Sequence, residues 1–247
     1  MLDYWFVLPL LTLLGGLFAL APLGVCVLRR GVVFIDLAVA QAAAACTLWL
    51  QAYYHTHDAM MLTASSIVGA LFCAGLVSRI CTVWPQRREA LIGLVYVLGA
   101  SLGLMAAQFN PHGKDDLQQL LAADILWSDE IDAWIAIVSG TSMLLLWKWR
   151  QTALEKDAYF FTIFAVITSL LVQSIGVYLV FVLLIAPALL FERIGIAKAM
   201  SLIISAIALG LTISWYQDLP SGVSLSLTLT ALVVVISLIS RGQKLAK

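Results

Sequence analysis

Charge is scarce in this chain: Asp, Glu, Lys and Arg make up 11% of its 247 residues, against about a quarter in soluble domains. With 62% apolar side chains and a mean hydropathy of +1.01, a soluble-domain architecture is excluded. Cysteine is sparse as well. Cys26, Cys46, Cys73 and Cys81 all lie inside or at the ends of apolar runs, and read as small packing residues rather than a disulfide framework or a thiolate metal site. No basic cluster is present, so nothing in the sequence calls for a nucleic-acid partner. No Gly-x4-Gly-Lys-Ser/Thr motif occurs, so the chain does not itself hydrolyse ATP in the usual way. Catalytic constellations are missing too: acids and histidines are almost absent from the apolar interior.

What the sequence has in quantity is long apolar runs. Nine stretches are expected to span a bilayer: 4–28, 32–53, 60–78, 91–108, 131–147, 158–175, 176–190, 196–214 and 221–240. A hydrocarbon core of ~30 Å needs about 20 apolar residues in a helix. At 15 residues the seventh stretch is short, and is expected to be a broken or re-entrant helix packed against protein. The expected fold is therefore all-α: a polytopic bundle of eight to nine transmembrane helices forming one domain, 1–247. The segment Met1-Leu2-Asp3-Tyr4 lacks the positive start of a cleavable signal, so the first stretch is kept as a span.

The charges are sorted between the gaps. Arg29, Arg30, Arg79, Arg87, Arg88, Lys148, Arg150, Lys156, Arg193, Lys198, Arg241, Lys244 and Lys247 fall in alternate gaps, and only Lys114 lies in the other class. Those other gaps collect Asp3, Asp58, Asp115, Asp116, Asp124, Asp129, Glu130, Asp132 and Asp218, with His55, His57 and His112. Flanking cations mark the cytoplasmic side. The expected topology is nine crossings, N-terminus outside and C-terminus in the cytoplasm. In the long outer gap, Asn110-Pro111-His112-Gly113 signals a turn and Asp115-Asp116 begins a short periodic stretch. This predicts a short helix on the outer face, acids at its N-terminus. Trp147 and Trp149 mark an interfacial loop on the inner side. Ala42–Ala45 permits close helix approach.

Few polar residues enter the spans. Asp36 lies six residues after Arg30, about 9 Å along a helix rising ~1.5 Å per residue. It is either a pore-lining ligand or gate, or a shallow residue paired to an arginine. Gln41 follows five residues later, so it points roughly 140° away from Asp36. The two do not grip one ion from a single helix, and Gln41 serves either as interhelical glue or as a pore contact. In the outer loops His55, His57 and Asp58, and separately His112 beside Asp115 and Asp116, are candidate metal-capture groups or ordinary loop residues. Glu89 reads as a surface ion pair or a helix N-terminal charge. Residues 176–190 open with glycine and carry Pro187, then run into Phe191-Glu192-Arg193. The expectation is a short helix feeding a cytoplasmic turn-and-helix at 192–200, a protrusion suited to docking on another protein.

Four blocks in order carry a resemblance. They are Arg29-Arg30 followed by Val33-Phe34-Ile35-Asp36-Leu37-Ala38-Val39-Ala40-Gln41-Ala42; Leu120-Leu121-Ala122-Ala123-Asp124-Ile125-Leu126; the 176–190 stretch; and Asp218-Leu219-Pro220-Ser221-Gly222. Together they resemble the permease subunits of bacterial zinc, manganese and iron ABC importers. The resemblance implies no permanently bound cofactor and a divalent metal, zinc or manganese, as transported substrate. It also implies a second permease copy, cytoplasmic ABC ATPase subunits docked on 192–200 (with Pro187, Glu192, Arg193 and Lys198 in the coupling segment), and an extracytoplasmic metal-binding protein. The chain departs from the family at one point. Many members carry Asp-x3-His in the second span, and here the residue four after Asp36 is Ala40. An ion-gradient-driven carrier is the alternative, but it needs intramembrane acids and only Asp36 qualifies. A membrane-embedded assembly protein or enzyme is a further alternative.

The charge sorting makes a direct prediction: a cysteine introduced at Arg87 reacts with a membrane-impermeant maleimide in inverted vesicles and not in intact cells. Labelling from outside the cell reverses the topology.

Overall fold

Inside hydrocarbon a peptide group has no water to bond, so each apolar run satisfies its backbone internally as a helix. The structure is a computed structural model and describes residues 7–54, 58–149 and 154–245. Among these residues there is no strand. The helices are α1 (Val7–Arg30), α2 (Ile35–Tyr54), α3 (Ala59–Val83), α4 (Arg88–Gln108), α5 (Gly113–Leu121), α6 (Glu130–Trp149), α7 (Asp157–Ile175), α8 (Val177–Ile194), α9 (Ile196–Gln217) and α10 (Ser221–Leu245). A 3-10 turn at Ile125–Trp127 follows α5. All but α5 are long and apolar enough to cross a membrane, giving nine candidate spans among the described residues. The expected short helix at the outer gap is α5, with Asp115 and Asp116 in its first turn.

The seventh stretch departs from expectation in part. It is short, as expected, but it is not broken: α8 runs unbroken through buried Pro187 to Ile194. Its 18 residues reach about 27 Å at ~1.5 Å each, close to the thickness of the core. The apolar run stops before Phe191-Glu192-Arg193, but the helix does not, because charged side chains at a helix end extend toward the interface. Glycine sets both ends instead. Gly176 and Gly195 have φ/ψ of 78°/157° and 80°/157°, a region that only glycine occupies readily.

Two groups of helices meet across α7. In one, α2 packs on α3 and α4; in the other, α1 packs on α6 and α8, and α8 on α9 and α10. α7 touches α1, α2, α3, α6 and α8. Phe160, Phe161 and Phe164 in its N-terminal half form a ring cluster with centroids 5.5 and 5.6 Å apart. The guanidinium of Arg30 lies 4.1 Å over the Phe160 ring, and its Nε donates to Asp157 Oδ1 at 3.1 Å. Its Nη2 donates to the carbonyls of Leu154 and Glu155 at 2.6 and 3.0 Å. Arg30 thereby ties the end of α1 to the start of α7.

The helices cross at small residues. α1 meets α6 where Gly15 faces Ala136 and Gly140: a Cβ on Gly140 would sit 2.6 Å from the Gly15 carbonyl oxygen. α2 is flanked similarly. Gly69 of α3 lies against Ala42 and Cys46, and Gly99 of α4 against Gln41 and Ala42, so the alanine run does admit close neighbours on both sides.

Gly140→Val forces the α1–α6 crossing apart and is expected to cost roughly 1–3 kcal/mol as overpacking. It should lower the Tm of the purified protein in detergent, while Gly93→Val, with nothing within 4 Å of the new carbon, leaves the Tm unchanged.

Candidate transport site

At the end of the bundle that carries α5, three distant segments are tied into one knot. Asp124 precedes the 3-10 turn and its Oδ1 accepts from Leu126 N at 3.4 Å and from Ser221 Oγ at 2.6 Å. Ser221 Oγ in turn accepts from Ile125 N at 2.7 Å, and Gly222 N donates to the Ala123 carbonyl at 3.1 Å. Gly176 closes the third side: a Cβ there would lie 2.7 Å from Ala123 N. The start of α10 is reached through Asp218, whose φ of 49° is left-handed and tolerable for aspartate. Beside the knot an open cavity of about 960 Å³ is lined by Asp115, Gln118, Asp124, Trp127 and Asp218 among others.

A second site centres on Asp36 in the first turn of α2. It is fully buried, and neither carboxylate oxygen has a hydrogen-bond partner. The Thr168 hydroxyl of α7 is close enough to interact electrostatically, yet outside hydrogen-bond geometry, and is itself buried and unpartnered. A charge left alone in such a place is costly, so the carboxylate requires a cation, a proton or water. The alternative of pairing with an arginine is not what forms, because Arg30 is committed to α7. Gln41 is buried on another face, against Gly99 of α4. As the helical spacing implies, Asp36 and Gln41 are not brought together.

The outer-loop candidates do not converge. His55 and His57 lie outside the described residues. Asp58 caps α3, its Oδ1 accepting from Met60 N at 3.0 Å. His112 is exposed at the start of α5, where its backbone N–H donates to Asn110 Oδ1 at 3.1 Å. Among the described residues, no three His, Cys, Asp or Glu side chains group as a metal cage. Glu89 is a loop clamp: its Oε1 accepts from Val33 N at 2.6 Å, fixing the turn between α1 and α2.

At the opposite end of the bundle, 192–200 is not a turn followed by a separate helix. Glu192 and Arg193 belong to the last turn of α8, Gly195 makes the corner, and Lys198 is in the first turn of α9. All three charged side chains are exposed, and Arg193 donates to the Ser237 carbonyl of α10 at 3.4 Å. A cavity of about 410 Å³ beside this corner is lined by Pro22, Arg29, Trp147, Phe191, Glu192 and Met200 among others. Sequence reasoning missed Thr168, Asp157 and Ser221 as partners. No local signal marks them, since each meets its partner only through the tertiary fold.

Comparison with known proteins places this geometry. A probable metal transport system membrane protein of Chlamydia pneumoniae is 25% identical over 205 residues, covering 73% of this chain and 69% of that protein. A probable iron transport system membrane protein of Haemophilus influenzae is 25% identical over 184 residues, covering 63% and 64%. The solved structure of PsaBC from Streptococcus pneumoniae in complex with Fab shares the fold, with a TM-score of 0.74 at 19% identity over 100% of this chain and 96% of that one. The ABC 3 transport family model matches residues 7–240. With the match running through all nine candidate spans, the chain belongs to the ABC 3 transport family.

Proposed function

We propose that this chain is the membrane-spanning permease of an importer that carries a divalent metal ion into the cytoplasm, driven by ATP hydrolysis on a separate subunit. The observation that carries the metal assignment is the buried, unpartnered carboxylate of Asp36 facing Thr168. Relatives described as metal and iron transport membrane proteins support it. Both donors are oxygen, which suits a hard ion such as manganese better than zinc, whose preferred ligands are nitrogen and sulfur. Manganese is therefore the favoured cargo. With the arginine-bearing turns in the cytoplasm, the Glu192, Arg193 and Lys198 corner faces the ATPase, and the acid-lined outer cavity faces a metal-delivering protein. A second permease copy completes the pore. ATP binding on the partner drives the transition only if its contacts at the corner differ between outward-open and inward-open states. The chain's own part is to hold the ion's oxygen ligands in a place shielded from water.

Two measurements test this. In cells lacking other uptake systems, the wild-type chain with its partners should raise cellular manganese, measured element by element, and Asp36→Asn should return it to the empty-vector level at equal membrane abundance. Unchanged accumulation in the variant removes Asp36 from the pathway. Replacing the exposed side chains of Glu192, Arg193 and Lys198 with serine should abolish co-purification of the ATPase without affecting membrane insertion; unaltered co-purification refutes the docking assignment.

A further inference from the structure

A groove of about 750 Å³ runs between α2, α3 and α4, and its wall is almost wholly hydrocarbon. Among the described residues no carboxylate, imidazole or amine lines it, and its serine, Ser65, donates to the Leu62 carbonyl at 2.9 Å. Two side chains in the wall differ in kind: Cys46 of α2 and Cys73 of α3, both free thiols. Gly69 brings them together. A Cβ on Gly69 would lie 2.6 Å from Cys46 Sγ, and Cys73 stands one turn further along α3 on the same face, where side chains are about 5–6 Å apart. Two thiols from different helices therefore point into one apolar space. We propose that Cys46 and Cys73 form a two-coordinate site for a soft divalent cation of the mercury(II) class.

The chemistry selects the ion. Two thiols each lose a proton to water, two sulfur–metal bonds form and no electron is transferred. The product of two thiolates and one divalent ion is neutral, which an apolar groove accommodates, whereas a net charge there is costly. Manganese and magnesium need several oxygen ligands, which the groove lacks. Zinc in a closed site takes four ligands, and the described lining of the groove supplies two. Soft ions that accept two sulfur donors remain. The site is independent of the transported ion, sharing no residue with the Asp36 and Thr168 pair.

The test uses the full chain in nanodiscs with Cys26→Ala and Cys81→Ala, so that the groove thiols are the remaining ones. Mercury(II) is titrated against an excess of a monothiol competitor. One ion per chain should be retained, with a rise in Tm because the ion bridges α2 to α3. Cys46→Ala or Cys73→Ala should each weaken retention on the order of a hundredfold, the scale of losing one of two linked donors. Should Cys73→Ala fail to elute as a folded species, the half-exposed Cys46→Ala decides the result. Two ions per chain without a Tm gain, or retention unchanged in the Cys46 variant, overturns the site.

Discussion

In hydrocarbon, an apolar side chain gains little by exchanging lipid for protein, so this bundle depends on how closely its backbones approach. The crossings fall where Cβ atoms are missing or small: Gly15 against Ala136 and Gly140, and Ala42 between Gly69 and Gly99. Polar positions follow from these crossings. α2 is held tightly on both flanks, which fixes its rotation, and that rotation turns Asp36 toward α7 and Gln41 toward α4.

The two ends of the bundle are finished differently. The knot at the α5 end uses neutral and charged hydrogen bonds among Asp124, Ser221 and backbone groups, joining segments far apart in sequence. The opposite end is tied by arginines: Arg30 stacks on Phe160 and bonds Asp157 and two carbonyls, and Arg193 bonds the Ser237 carbonyl. Between these ends lies Asp36, a buried carboxylate with no protein group completing its hydrogen bonds. Gln51, Glu89, Thr168 and Gln173 each leave one buried polar atom unpartnered, but among the described residues Asp36 is the one carboxylate that leaves both oxygens so.

Much of the fold was legible because membrane sequences punctuate themselves. Apolar runs end at charge, and the nine expected spans match nine helices with shifts of a few residues at their ends. The error at 176–190 came from reading Glu192-Arg193 as the end of the helix, when Gly195 ends it. Helical periodicity separated Asp36 from Gln41 correctly. It had no means of identifying Thr168 or Asp157, because a single threonine in an apolar helix carries no mark of what it faces. The convergence of Cys46 and Cys73 was equally hidden: it depends on the register of α2 against α3, which Gly69 sets through space.

The two glycine corners of α8 are alike in backbone angles and opposite in surroundings. Gly176 is wedged against Ala123 and the Leu121 carbonyl, while nothing lies within 4 Å of a Cβ at Gly195. The corner at Gly176 has no room for a side chain, whereas the one at Gly195 would admit it and is held by the Arg193 bond to the Ser237 carbonyl instead.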